Sequence, residues 1–156
     1  MKREHTYKAK ITWTGNNGSG TSDYTSYERS HTVAVENKQE LLCSADPAFR
    51  GDDTKINPEE LLVSALSSCH MLWYLHFCAD NGITVVEYID NAIGTMLENE
   101  GGGGHFVEVT LYPEVRILEK GLIEKANVLH KEANKKCFIA NSVKFPVHHK
   151  PKCRAE

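Results

Sequence analysis

The sequence predicts an α+β fold in which antiparallel sheet packs on one long, buried central helix. Two observations carry this. A single helical segment, from Asn57 to about Asp80, is apolar on most of its circumference. Segments with strand-like patterning lie on both sides of it, giving the order β-β-β-α-β-β-α-β. With 156 residues, the chain has the length of one ordinary domain, read here as spanning 1–156.

Each element has its own signal. Tyr7 to Trp13 alternates apolar Tyr7, Ala9, Ile11 and Trp13 with Lys8, Lys10 and Thr12, which predicts a half-buried strand. The run Gly15-Asn16-Asn17-Gly18-Ser19-Gly20 follows as a turn. Thr32–Val35 and Glu40–Cys43 read as two further strands, and the polar stretch Asp46–Ile56 as a loop. Asn57-Pro58-Glu59-Glu60 is a helix start. Asn57 caps, Pro58 suits the first helical position, and Glu60 closes a capping box. Gly82 ends the helix. Thr84–Leu97 and His105–Ile117 read as the two arms of a long hairpin, broken by Gly101–Gly104. Glu119–Lys135 has helical character, with Ile123, Ala126 and His130 near one stripe, and Cys137–Ser142 reads as a short helical turn. Val143–Val147 reads as a last strand, placed at a sheet edge by Pro146. The end of the chain, with His148-His149-Lys150 and Cys153, reads as a solvated tail.

Composition narrows the function. The chain is 40% apolar and 25% charged, with a formal net charge of −3, an ordinary globular balance. A mildly acidic chain without a long basic run argues against dedicated nucleic-acid binding and against attachment to anionic membrane. No run of consecutive apolar residues reaches the roughly 18 that a membrane span needs. The polar start Met1-Lys2-Arg3-Glu4-His5 is followed by no apolar signal segment, so a cytoplasmic protein is expected. The five cysteines, Cys43, Cys69, Cys78, Cys137 and Cys153, are odd in number, irregular in spacing and without a CxxC pair. They read as core filler or as chemistry, not as a disulfide scaffold.

Cys69 sits in the middle of the long helix, among Ser67, Ser68 and His70. As a plain helical cysteine it is core filling. It becomes reactive only beside a cation or a helix N-terminus. The candidate cations are Arg50 and Arg29, and Glu59 is placed to orient an arginine.

Asn57-Pro58-Glu59-Glu60-Leu61-Leu62, followed by Cys69-His70-Met71, resembles the core signature of the OsmC/Ohr family, the osmotically induced and organic-hydroperoxide-resistance proteins. Cys137-Phe138-Ile139-Ala140-Asn141-Ser142-Val143 falls where that family carries its second cysteine. The likeness covers nearly the whole chain and is nearer the OsmC-like branch. It implies an OsmC-like fold and a thiol peroxidase that reduces organic hydroperoxides, with hydrogen peroxide as a second substrate class. Cys69 matches the peroxidatic cysteine, Cys137 the resolving cysteine, and Glu59 the glutamate that holds an active-site arginine. Arg50 fits the OsmC placement of that arginine, with Arg29 as the alternative, because Asn16 and Asn17 stand where the Ohr branch has its own. A dithiol reductant, lipoyl-type or other, is implied, and no cofactor or metal.

The family is also an intertwined homodimer with its sites at the subunit interface. Glu59 and Cys69 lie roughly 15 Å apart along one helix, so a two-fold partner's glutamate is better placed to serve a given Cys69. Phe49, Met71, Trp73 and Phe138 are the expected pocket wall for an alkyl hydroperoxide.

Three other readings stand beside this one. The fold would equally carry a non-enzymatic thiol sensor or a ligand-binding protein. Cys69, His70, His76 and Cys78 on one helix invite a metal, yet CxxC and HExxH are absent. A Cys–His hydrolase needs a base beside Cys69, and His70 projects about 100° away from it.

Overall fold

Alternation places a strand before the glycine-rich turn, and β1 (Lys10–Trp13) forms there. The computed structural model describes residues 3–156, which make two compact units, Met1–Leu61 and Leu62–Glu156. In the first, β1, β2 (His31–Ala34) and β3 (Leu41–Cys43) form an antiparallel sheet in chain order. Asn16 holds the turn after β1, its Oδ1 accepting from the N–H groups of Gly18 and Gly20 at 2.9 and 3.0 Å. The first strand is shorter than expected and is not half-buried. Ile11 is 62% exposed and Tyr7, ahead of the strand, 89%. Its alternation marks a face that needs a covering layer, and among the described residues of the first unit that face stays exposed.

The loop before the helix is tightly built. Asp46 accepts from the Ala48 N–H at 2.8 Å and opens a 3-10 turn, Pro47–Phe49, which closes on Arg50 in the left-handed region at φ 65°. Gly51 follows because an added Cβ would lie 1.6 Å from the Ala45 carbonyl oxygen. The helix α1 (Pro58–Asp80) then starts with the expected capping box. Asn57 Oδ1 accepts from the Glu60 N–H at 2.8 Å, and Glu60 Oε2 accepts from the Asn57 N–H at 2.9 Å. Gly82, at φ 68°, ends it.

In the second unit the long hairpin exists, but each arm breaks once. The outgoing arm is β4 (Val85–Asp90) and β5 (Ile93–Glu98), and the return arm is β6 (Gly104–Leu111) and β7 (Pro113–Ile117). β5 pairs with β6 and β4 with β7, both antiparallel. Asp90 sits at the break and holds it. Its Oδ1 accepts from the Tyr112 N–H at 2.6 Å, and its Oδ2 accepts from the Ser67 hydroxyl at 2.5 Å. A one-turn 3-10 segment leads into α2 (Ile123–Lys136), and a second, Ala140–Ser142, follows Cys137.

The end of the chain differs most from expectation. The last strand begins after Pro146, not before it, and a second strand follows. β8 (Val147–His149) pairs with β6, and β9 (Lys152–Ala155) with β7, both parallel, so neither sheet of this unit is purely antiparallel. Pro146 contributes only its carbonyl, which accepts from the Val109 N–H at 3.1 Å, so its missing donor costs nothing there. The expected solvated tail is thus sheet, with His149 and Cys153 half-buried.

Two apolar clusters fill this unit. Tyr74, Cys78, Ile83, Val115, Ile117, Ala126, Leu129 and Ala133 make one, and Leu66, Val109 and Leu111 the other. α1 serves both through one stripe, Leu66, His70, Tyr74 and Cys78. The expectation of a helix buried nearly all round is therefore corrected for the single chain. The opposite stripe, Ser64, Ser68, Leu72 and His76, is exposed, with Leu72 at 63%. The 23-residue helix also reaches a mean hydropathy of 1.3 over an 18-residue window. It is long and apolar enough to cross a membrane, which a search for unbroken apolar runs does not register because Ser67, Ser68 and His70 interrupt it.

Candidate active site

α1 and α2 each deliver one cysteine. Cys69 is half-buried at the middle of α1, and Cys137 is buried at the residue that ends α2. Cys69 is a near neighbour of Cys137, close enough to shift its titration. The Cys137 thiol is pushed up to about 11, first by burial and next by the neighbouring Cys69 thiol. Its Sγ also accepts from the Ala140 N–H at 3.4 Å, a contact made by the 3-10 turn that follows. All five cysteines are free thiols. Beside the pair, Trp73 meets Phe138 edge-on with ring centroids 5.8 Å apart, and Phe138 is 71% exposed. The dithiol thus has an aromatic neighbour that solvent can reach.

One residue beyond Cys69 the chemistry changes. His70 is buried and stacks on His130 of α2, with ring centroids 5.3 Å apart and planes within 8°. Its Nε2 and the Nδ1 of His130 share a hydrogen bond of 3.0 Å. Tyr74 stacks on His130 with ring centroids 3.8 Å apart, and His149 of β8 lies 5.6 Å from the His70 ring. Burial lowers both rings' proton affinity, His70 to about 4 and His130 to about 3, and the neighbouring histidines lower it further. The stack is neutral at physiological pH. Among the described residues no three His, Cys, Asp or Glu side chains are grouped as metal ligands.

The other predicted residues fall elsewhere. Met71 is about 200° round the helix from Cys69. It lines a separate cleft of about 390 Å³ with Ser67, Ser68, Tyr88 and Asp90. Arg29, Phe49, Arg50 and Glu59 belong to the first unit. Arg29 is clamped between Tyr24 and Tyr27, 4.3 and 4.2 Å from their ring centroids, and donates to both their carbonyls. Arg50 is exposed, and Glu59 is half-buried in the first turn of α1. Sequence reasoning placed His130 on the core stripe of its helix but missed the stack that it forms with His70 and His149. The available signal was that one helix face carries both His70 and Tyr74 at i,i+4.

Comparison with known proteins places this architecture. The family described as OsmC-like protein matches residues 51–152. The chain is 32% identical to an OsmC-like protein of unknown function from Vibrio cholerae, and their structures agree with a TM-score of 0.86 over 96% of this chain and 100% of that one. An organic hydroperoxide resistance protein from Elizabethkingia anophelis is 22% identical, with a TM-score of 0.69 over the full length of both chains. The organic hydroperoxide resistance protein OhrB of Bacillus subtilis is 17% identical, with a TM-score of 0.64 over 96% of this chain and 98% of that one. The last two share the fold. No match is found among the curated proteins.

Proposed function

Because the chain belongs to the OsmC-like family, we propose that it is a thiol-dependent peroxidase that reduces organic hydroperoxides through Cys69 and Cys137. The observation that supports this reading is that a half-buried thiol, Cys69, neighbours a buried thiol, Cys137, and helps to raise its pKa.

The steps balance. The Cys69 thiolate attacks the outer oxygen of ROOH, the O–O bond breaks, and the alkoxide takes a proton to leave as alcohol. Cys69 is then a sulfenic acid. Cys137 attacks its sulfur, and the S–S bond forms as the S–O bond breaks. The Cys137 proton leaves with the hydroxyl as water. The upward shift of Cys137 suits this role, since the thiol keeps its proton until closure. A dithiol of the lipoyl class restores both thiols by exchange.

In this reading Arg50 stabilises the Cys69 thiolate, with Arg29 second because its guanidinium is already engaged by Tyr24 and Tyr27. Glu59 orients the arginine. Phe49, Trp73 and Phe138 favour alkyl over hydrogen peroxide. A homodimer completes each site, and a second copy would cover the exposed stripe of α1. Five free thiols fit work in a reducing, cytoplasmic compartment.

The test is turnover of cumene hydroperoxide and of hydrogen peroxide with dihydrolipoamide as reductant. Wild type turns over and prefers the organic peroxide. Cys69→Ser loses activity. Cys137→Ser consumes one equivalent of peroxide and stalls as a sulfenic acid that dimedone traps. Wild type and Cys69→Ser equally inert would overturn the proposal.

A further inference from the structure

The helices that carry the two cysteines are tied by one buried polar bond. His70 follows Cys69 directly on α1, and His130 stands two turns before Cys137 on α2. The 3.0 Å bond between their rings is buried, with His70 1% and His130 0% exposed. The tie costs stability. His70 Nδ1 and His130 Nε2 are buried without protein partners, and an unmet polar group in the interior opposes folding. Two apolar side chains of similar volume would fill the space without that cost. A hydrogen bond supplies what they cannot, a direction.

Direction matters here because a disulfide is geometrically demanding. Its S–S length is about 2 Å, and its Cβ atoms must come within about 3.5–4.5 Å. Helix Cα atoms lie about 2.3 Å from the axis and a cysteine sulfur roughly twice as far, so a 20° roll of α1 moves Sγ by roughly 1.5 Å. Greasy contacts tolerate such a roll, whereas a ring-to-ring hydrogen bond does not. Tyr74 packs on His130 and His149 on His70, with ring centroids 3.8 and 5.6 Å apart, so both rings are held among aromatic neighbours.

We infer that His70 and His130 are positioning residues for the dithiol: their hydrogen bond fixes the roll of α1 against α2 and so the spacing of Cys69 and Cys137. Neither ring touches the peroxide in this scheme. The inference rests on reading the two cysteines as a redox pair, so its test uses no peroxide. The full-length protein is equilibrated in dithiothreitol redox buffers, and the Cys69–Cys137 disulfide is quantified by thiol-specific mass tagging. Three substitutions at one site separate geometry from bulk. His130→Asn keeps an amide where Nδ1 stands, His130→Gln moves it one bond further out, and His130→Leu removes it.

The expected result is a tenfold or greater fall in the equilibrium constant for disulfide formation in His130→Leu and His130→Gln. That raises the reduction potential by about 30 mV or more. His130→Asn stays within about threefold of wild type, because the bond is restored. A wild-type potential in all three variants overturns the inference, as does an Asn variant no better than Gln. If His130→Leu does not fold, the Asn and Gln comparison alone decides. Failure of the peroxidase reading looks different: these potentials would shift as described while no hydroperoxide turns over.

Discussion

At the scale of single residues, the buried imidazoles carry a measurable cost in acid. His70 and His130 are neutral in the fold because burial opposes their charge, with proton affinities lowered to about 4 and about 3. In the unfolded chain they titrate near 6.5. The unfolded state therefore binds more protons below that point, so stability is full above about pH 6.5. It falls as pH drops towards the folded values, by up to about 1.4 kcal/mol per pH unit for each ring. Urea unfolding at steps from pH 7 to pH 4.5 will show the midpoint falling steadily, and the double substitution His70→Leu/His130→Leu will flatten that slope. An unchanged slope in the double variant would place the acid sensitivity elsewhere. Asp90 is the second residue with a measurable role. Asp90→Ala leaves the Tyr112 N–H and the Ser67 hydroxyl without their acceptor. It is expected to cost about 1–3 kcal/mol in the same assay.

At the scale of elements, legibility followed the range of the controlling interaction. The ends of α1 were readable because Asn57, Glu60 and Gly82 act within one turn. The break in the hairpin was not, because Asp90 is a local strand residue whose meaning comes from Tyr112, on the other arm, and Ser67, on a helix. β8 and β9 were unreadable for the same reason. Their parallel partners, β6 and β7, lie across a whole helix in sequence, and Pro146 misdirects a local rule. Gly94 makes the element-scale prediction. It lets β5 pass close to α1, where an added Cβ would stand 2.7 Å from both Val63 and Phe106. Gly94→Ala should cost roughly 1–3 kcal/mol by overpacking. Adding Val63→Ala should return part of that loss, a coupling readable in a double-mutant cycle.

At the scale of the molecule, the proposed pairing of Cys69 with Cys137 came only from family likeness, since nothing in the spacing of two cysteines on different helices predicts that they meet. The surface of α1 was legible in composition and misread in burial. A helix apolar all round signals two covering layers, and the single chain provides one. In the second unit Leu72 at 63% and Ile93 at 58% exposure are part of the uncovered apolar surface. A second copy of the chain is the occupant that the proposed function requires. Sedimentation equilibrium at micromolar concentration should therefore give twice the chain mass of 17.5 kDa. Leu72→Glu places a charge where the second layer would sit. A buried leucine contributes about 1.5–3 kcal/mol, and burying a carboxylate adds a further penalty. The dimer should weaken at least tenfold and monomer should appear. Turnover at low protein concentration should fall with it, because each site would draw on both chains. Wild type sedimenting as a monomer with full activity would show that one chain builds the whole site, and Glu59 would then have to act within its own subunit.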